Sequence, residues 1–421
     1  MAMETLSALS SKLHEFVLSN HLYVDKSDGL ISFISCLQTE PRLYAPNIFM
    51  VIRPRGFGLT LGVEAIEALL MQDTLIADDI SERAQRQEIV LQPVVRLSLS
   101  KATFDSAQAF REHLIELMQM QLWEHHINRH QVSYQNPKTY FAELLKAVAE
   151  KHKQPVAVII DNYDVPFLCF SRLSPKERDE AVALYLDTLN AVKQAGPNAS
   201  FCLLTGHIKF ELSSLYSEGL PAVKDISCHP CCEQLFGFTR DEVRKYFAKS
   251  LSRCAPRCGL TVQELLDALD ACYGGYCFSD NCIRLICPSS LNAALDNEGV
   301  LLPYQARGDY SFLRQLLTEE EPSLEWLFDK DGQDALYLEC IELPPQRRHF
   351  GALLLQLGFA TISKVTQSEG DDYINWRYRY SAPNEEMRRL LRILRGEASE
   401  KLALRPINPR VLEDGAHDFD L

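Results

Sequence analysis

Short continuous apolar runs alternate with longer stretches whose apolar residues recur every three or four positions, and the alternation persists to about residue 210. Ile48-Phe49-Met50-Val51-Ile52 is a run of the first kind, the pattern of a strand buried on both faces. Arg53-Pro54-Arg55-Gly56-Phe57-Gly58 follows as a tight turn, and Leu59, Val63, Ile66 and Leu70 then repeat at helical spacing. A second strand is predicted over 93–99, with Val95, Leu97 and Leu99 on one face, and helices over 107–129 and 138–151. Val156-Ala157-Val158-Ile159-Ile160-Asp161 is the clearest strand, β-branched and closing on an acid. A helix over 175–194 leads to a further buried strand over 200–205. Strands that alternate with helices pair in parallel, with helices covering both sheet faces. The expected fold class is therefore α/β, a doubly wound parallel sheet.

The flanks read differently. Residues 5–20 predict a short amphipathic helix ahead of Tyr23-Val24-Asp25-Lys26-Ser27. After Gly206 the pattern becomes helices joined by loops. From Phe350 onward a helix, strands at 359–362 and 378–380, and a helix from Asn384 give the order of a small winged-helix-like module. Scattered Pro, Gly and Asp over 405–421 read as a loose tail.

Composition narrows the function classes. The 421 residues are 46% apolar and 24% charged, an ordinary globular balance with room for two or three compact units. A formal charge of −14 argues against a mainly electrostatic nucleic-acid binder. The first residues lack a basic segment followed by an apolar core, and no apolar run approaches the roughly 18 residues of a membrane span. Thirteen cysteines without a secretion signal lead us to expect reduced thiols in a cytoplasm, whether or not the chain is later exported.

The chemistry expected at 53–60 is phosphate binding. A strand, a glycine-containing turn and a helix present backbone N–H groups to an anion, and the helix dipole adds to the attraction. A working loop also needs a lysine on the phosphates and a Ser or Thr hydroxyl on Mg2+. Thr60 can supply the hydroxyl, but the lysine position is Leu59. Ile160-Asp161 has the form of a Mg2+-holding strand end, and the residue that would activate water is Asn162.

The ordered segments YVDKS (23–27), RPRGFGLTL (53–61), IIDNYDVP (159–166), LLTGHIKF (203–210), LFGFTRDEV (235–243), CYGGYCF (272–278) and APNEEMRRL (382–390) together resemble the bacterial AAA-ATPase-like family. In that family the chain usually ends in a PD-(D/E)XK nuclease domain. The resemblance spans residues 22 to about 395 and implies a P-loop core of AAA/STAND type. It divides the chain into an N-terminal helix and DKS segment (1–42), a P-loop core (43–210), a helical lid (211–305), the winged-helix-like module (306–400) and the tail (401–421).

By position, the resemblance implies nucleotide contacts from Arg53, Arg55, Gly56, Gly58, Thr60, Asp161 and Thr205, with Thr60 and Asp161 on Mg2+ and ATP or ADP as the nucleotide. Arg53 and Arg55 are expected to compensate in part for the missing lysine. The departures are as telling as the matches. The family lysine falls on Leu59, its Walker B glutamate on Asn162, the aspartate of its YDGY on Gly274 and the asparagine of an NP pair on Cys287. No Asp followed by Glu-x-Lys on a strand is found near the end. Loss of one charge-assisted hydrogen bond costs about 1.5–3 kcal/mol, and loss of a positioned base costs about 10² to 10⁴ in rate. The expectation is a degenerate ATPase serving as a protein-interaction module, with a slow nucleotide hydrolase or sensor as the alternative. A role in a bacterial conflict system or as an effector follows by analogy only.

Three further features invite chemistry. Cys228, Cys231 and Cys232, with Cys254 and Cys258, offer thiolates at loose spacing, and the reading favours buried or idle thiols over zinc. His125, His126 and His130 are read as a solvated helix face. Arg388, Arg389, Arg392 and Arg395 form the one local basic patch, extended by Lys401, Arg405 and Arg410; the default reading is a solvated helix face, with an acidic partner, nucleic acid or the protein's own acidic body as alternatives.

Overall fold

The computed structural model describes residues 24–40, 46–72, 89–99, 104–132, 136–212, 223–307, 350–369 and 374–396, with positions 310, 313–314, 324, 327, 333–334 and 340–341 between them. The helix expected over 5–20 and the tail over 401–421 lie outside these. Five strands, β1 (Asn47–Ile52), β2 (Val94–Ser98), β3 (Val156–Asp161), β4 (Ala199–Gly206) and β5 (Val223–Asp225), form one sheet in the order β2-β3-β4-β1-β5. Every pairing in it is parallel. The edge strand β5 has three half-buried or exposed residues, too few for a hydrophobic pattern, and sequence reading missed it.

Alternate residues of each strand enter different cores, as the period of two demands. Phe49, Val51, Ala157, Ile159, Phe201 and Leu203 join the cluster formed with α1 (Ser27–Thr39) and α2 (Leu59–Leu70). Ile48, Met50, Val158, Ile160, Cys202 and Leu204 face the opposite cluster, with α3 (Ala107–Glu124), α4 (Pro137–His152), α5 (Val165–Phe170) and α6 (Pro175–Gln194). Asn136 and Thr139 cap α4 reciprocally, and Ser106 caps α3, so the polar residues before each apolar stripe fix where the helices start.

The helix predicted over 107–129 stops at Glu124. His126 takes a left-handed φ of 52°, and His125 turns inward to bond the Val94 carbonyl at 2.9 Å and face His152 at 3.2 Å. The solvated-face reading therefore fails for His125. Burial pushes its pKa down to about 4, whereas His126 and His130 are exposed.

A third apolar cluster is built by α7 (Arg240–Tyr246), α8 (Ala248–Cys254), α9 (Val262–Tyr273) and α10 (Pro288–Asp296), the helical region expected after residue 210. The short antiparallel pair β6 (Phe238–Thr239) and β7 (Leu285–Ile286) places Leu285 in the cluster of α1 and α2 and Ile286 in this third one. Beyond it come β8 (Gln333–Asp334), α11 (Phe350–Gln356), the antiparallel hairpin β9 (Thr361–Glu369) and β10 (Ile374–Ser381), and α12 (Glu385–Leu394). That helix–hairpin–helix order is the predicted one. Met387, Leu390, Leu391 and Leu394 of α12 share the apolar cluster of α1 and α2, so α12 packs against the phosphate-loop side of the sheet. Among the described residues no helix is long and apolar enough to cross a membrane.

Candidate phosphate-loop site

The register places Ile52 beside Gly206 and Asp161 beside Thr205, so β1, β4 and β3 end together at one edge of the sheet. Ligands of open α/β sheets bind beyond this carboxyl edge. The chain leaves β1 through Pro54 and two glycines in left-handed backbone, Gly56 (φ 85°) and Gly58 (φ 79°). Gly58 precedes α2 directly, which leaves the free N–H groups of the first helical turn facing the loop. A Cβ on Gly56 would run into Ser289 and Gln305, so glycine is required there by space as well as by φ.

Asp161 closes β3, and its Oδ1 accepts from the Thr205 hydroxyl at 2.8 Å. Burial pushes the Asp161 carboxyl above its usual range, while Thr205, the charge of Arg96 and the Thr60 hydroxyl hold it down. Its Oδ2 is buried without a hydrogen-bond partner. The structure thus gathers Thr60, Asp161 and Thr205, the three positions expected to face Mg2+ and the γ-phosphate. An unsatisfied carboxylate oxygen next to hydroxyls is chemistry that suits a hydrated divalent cation.

The two positions that would supply lysine and glutamate differ in kind. Leu59 is 5% exposed and belongs to the apolar cluster with Phe57, Val63 and Ile66. Asn162 is buried in left-handed backbone (φ 57°), a conformation that Asn tolerates better than Glu. Its Nδ2 has no partner.

Arg53 does not reach the cradle. Its guanidinium is buried and donates to the carbonyls of Ile52 (2.8 Å), Ser227 (2.7 Å) and Cys232 (2.8 Å), and it lies 4.5 Å from the Phe278 ring centre. It anchors the root of the loop to the turn after β5, so the compensation expected of it is not available from this position. Arg55 remains half-buried on the loop itself.

The region after residue 210 is docked on the loop. Ser289 N donates to the Gly56 carbonyl at 3.1 Å, and the Cys287 thiol, buried and with its pKa raised by that burial, lies 3.7 Å from the same oxygen. Gln305 Nε2 donates to Ser289 Oγ at 2.7 Å, and its backbone N donates to Glu386 of α12 at 3.0 Å. Ser290 Oγ donates to the same carboxylate at 2.9 Å. Burial lifts Glu386 to about 7. Sequence reasoning missed Gln305 and Ser289, which carry no motif signal, and Glu386 stood unremarked inside a quoted motif.

Beside Gly58 lies a cavity of about 130 Å3 lined by Val24, Leu30, Leu61, Leu235 and Phe238, with Lys26 and Asn292 as its polar groups. Lys26 Nζ donates to Glu242 at 2.7 Å and to the Gln234 carbonyl at 2.9 Å. Several motifs read separately are therefore partners. Lys26 meets Glu242, Asp164 accepts from the His207 and Ile208 N–H groups at 3.0 Å each, and Asn384 donates to the Gly274 carbonyl at 2.7 Å. A side chain at Gly274 would collide with Asp270.

The basic patch on α12 is smaller than predicted. Arg389 is 2% exposed and pairs with Glu385 at 3.4 Å, because the apolar stripe of α12 carries it into the core. Arg388 and Arg392 are half-buried and Arg395 is exposed. Cys254 and Cys258 lie in the third cluster, with sulfurs 3.5 Å from the Leu295 and Glu298 carbonyls, and do not join Cys231. All thirteen cysteines are free thiols.

Residues 11–216 match the AAA-ATPase-like family, described as a predicted AAA-ATPase. An uncharacterized protein in the vnfD 5' region of Azotobacter chroococcum mcd 1 is 26% identical over 375 residues, which cover 88% of this chain and 65% of that protein. The chain thus spans less than two thirds of that relative's length.

Proposed function

We propose, from the match of residues 11–216 to the AAA-ATPase-like family and from the geometry of the site, that this chain is a pseudo-ATPase. In this reading its P-loop domain serves protein interaction and does not turn nucleotide over at a useful rate. One observation carries the reading. The cation-side groups Thr60, Asp161 and Thr205 stand together, while the two positions that would supply charge and water activation hold an apolar Leu59 and a neutral Asn162. Mg2+, when bound with nucleotide, neutralises charge on the β- and γ-phosphate oxygens. Thr60 and Asp161 would hold that ion, the N–H groups of the loop would hold the phosphates, and the slot beside Gly58 would take the flat face of the nucleobase. Neither Leu59 nor Asn162 could then activate water. Trp123 and Met120, one turn apart on α3 and 63% and 55% exposed, favour a protein partner over nucleic acid, as does the net charge of −14. A place in a conflict system, or a role as an effector, rests on family analogy alone.

The second reading, a nucleotide sensor or slow Mg-ATP hydrolase, is favoured by the partnerless Asp161 oxygen and by the slot beside Gly58. A thermal-shift titration with ATP, ADP and GTP, each with and without Mg2+, separates the two. Nucleotide at about 100 times its dissociation constant stabilises the native state by about 2.7 kcal/mol. A Mg2+-dependent shift with phosphate release at background gives a nucleotide-responsive scaffold. No shift at millimolar nucleotide gives a scaffold that needs none, and sustained phosphate release sinks the pseudo-ATPase reading.

A further inference from the structure

Cys36 lies on α1, and His229 and Cys231 lie on the turn that follows β5. The fold brings these distant residues together: one ligand-capable atom from each falls within 4.8 Å of the other two. Among the described residues this is the one such group of His, Cys, Asp and Glu. His229 Nδ1 accepts from the Cys231 N–H at 3.2 Å, which holds the imidazole over its own turn. Cys36 and Cys231 are half-buried and His229 is exposed, so the trio opens to solvent on one side. The neighbouring Cys232 is buried and directs its thiol inward, to the Ile226 carbonyl at 2.9 Å.

Two thiols and an imidazole form a nitrogen–sulfur set suited to Zn2+, which accepts three protein ligands with water as the fourth. We propose that Cys36, His229 and Cys231 form a Zn2+ site that fastens α1 to the turn after β5. Binding releases the two thiol protons to solvent and leaves two thiolates and a neutral imidazole on the ion. The same turn presents the Ser227 and Cys232 carbonyls to Arg53. The ion would therefore brace the turn that holds the root of the phosphate loop.

The test uses the full chain, kept reduced, titrated with Co2+ and then with Zn2+. One equivalent of Co2+ is expected to give a thiolate-to-cobalt charge-transfer band that Zn2+ abolishes. Cys36→Ser and Cys231→Ser should lose the band, and Cys258→Ser should keep it. His229→Gln alters an exposed side chain and leaves folding aside. It should weaken Co2+ and Zn2+ binding by at least about tenfold, since even losing an outer-shell partner of a metal ligand costs 10- to 100-fold. Absence of the band in the reduced wild type, its survival in Cys36→Ser, unchanged affinity in His229→Gln, or its loss in Cys258→Ser would each overturn the site.

Discussion

The Thr205 hydroxyl donates to Asp161 Oδ1 at 2.8 Å across the β3–β4 seam, while the other oxygen of that carboxylate is buried without a partner. A buried carboxylate satisfied on one side costs stability unless a cation shares it. Asp161→Asn keeps the shape and removes the charge. Its ligand-free melting temperature is expected to equal or exceed that of the wild type, and the Mg2+-dependent part of any nucleotide shift should vanish. Scanning calorimetry with and without Mg-nucleotide checks both, and a lower ligand-free melting temperature would count against a cation-holding role.

Leu59→Lys returns a phosphate-directed charge. One charge-assisted hydrogen bond is worth about 1.5–3 kcal/mol, or roughly 10- to 150-fold in affinity. The same change takes an apolar side chain out of the cluster around Phe57 and Val63, so the variant should bind nucleotide more tightly while melting lower. Adding Asn162→Glu supplies a candidate base and should raise phosphate release by about 10² to 10⁴ over the single variant. Single-turnover phosphate release measures the gain. Unchanged release in the double variant would show that residues beyond these two have also been lost.

Arg53→Lys should destabilise the fold by about 3 kcal/mol, because an ammonium cannot span three carbonyls and leaves buried acceptors unpaired. Urea unfolding should show a lower midpoint with an unchanged slope. A wild-type midpoint would mean that the Ser227–Cys232 turn does not depend on this side chain.

Glu386 gives a pH signature. Its folded pKa is about 7, above the usual 4.5, so the folded state holds the proton longer than the unfolded state does. Stability from this group is therefore fully present below about pH 4.5 and is lost as pH rises toward 7, by about 3 kcal/mol in total. Glu67 is raised to about 7 by burial as well, against its pairing with Arg96, so the diagnostic quantity is a difference between proteins. Glu386→Gln should flatten the decline between pH 5 and pH 8 relative to wild type in thermal melts, and parallel curves would contradict it.

Local pattern settled the elements whose signal is periodic. The helix predicted over 175–194 has those same bounds in the structure, and the strand ending at Asp161 does too, because a β-branched run closed by a polar residue and a capped apolar stripe each determine their own ends. The tight turn through Gly56 and Gly58 was likewise legible, since it depends on residue type at single positions. Pairing was not. That Arg53 turns inward to three carbonyls, that Arg389 is buried and that Lys26 reaches Glu242 are facts of long-range packing. So is the meeting of Cys36 with His229 and Cys231. A sequence states which groups are available, but hydrogen bonds and ligand sets act over about 3 Å, and only the folded sheet and the helices packed on it decide which groups come that close.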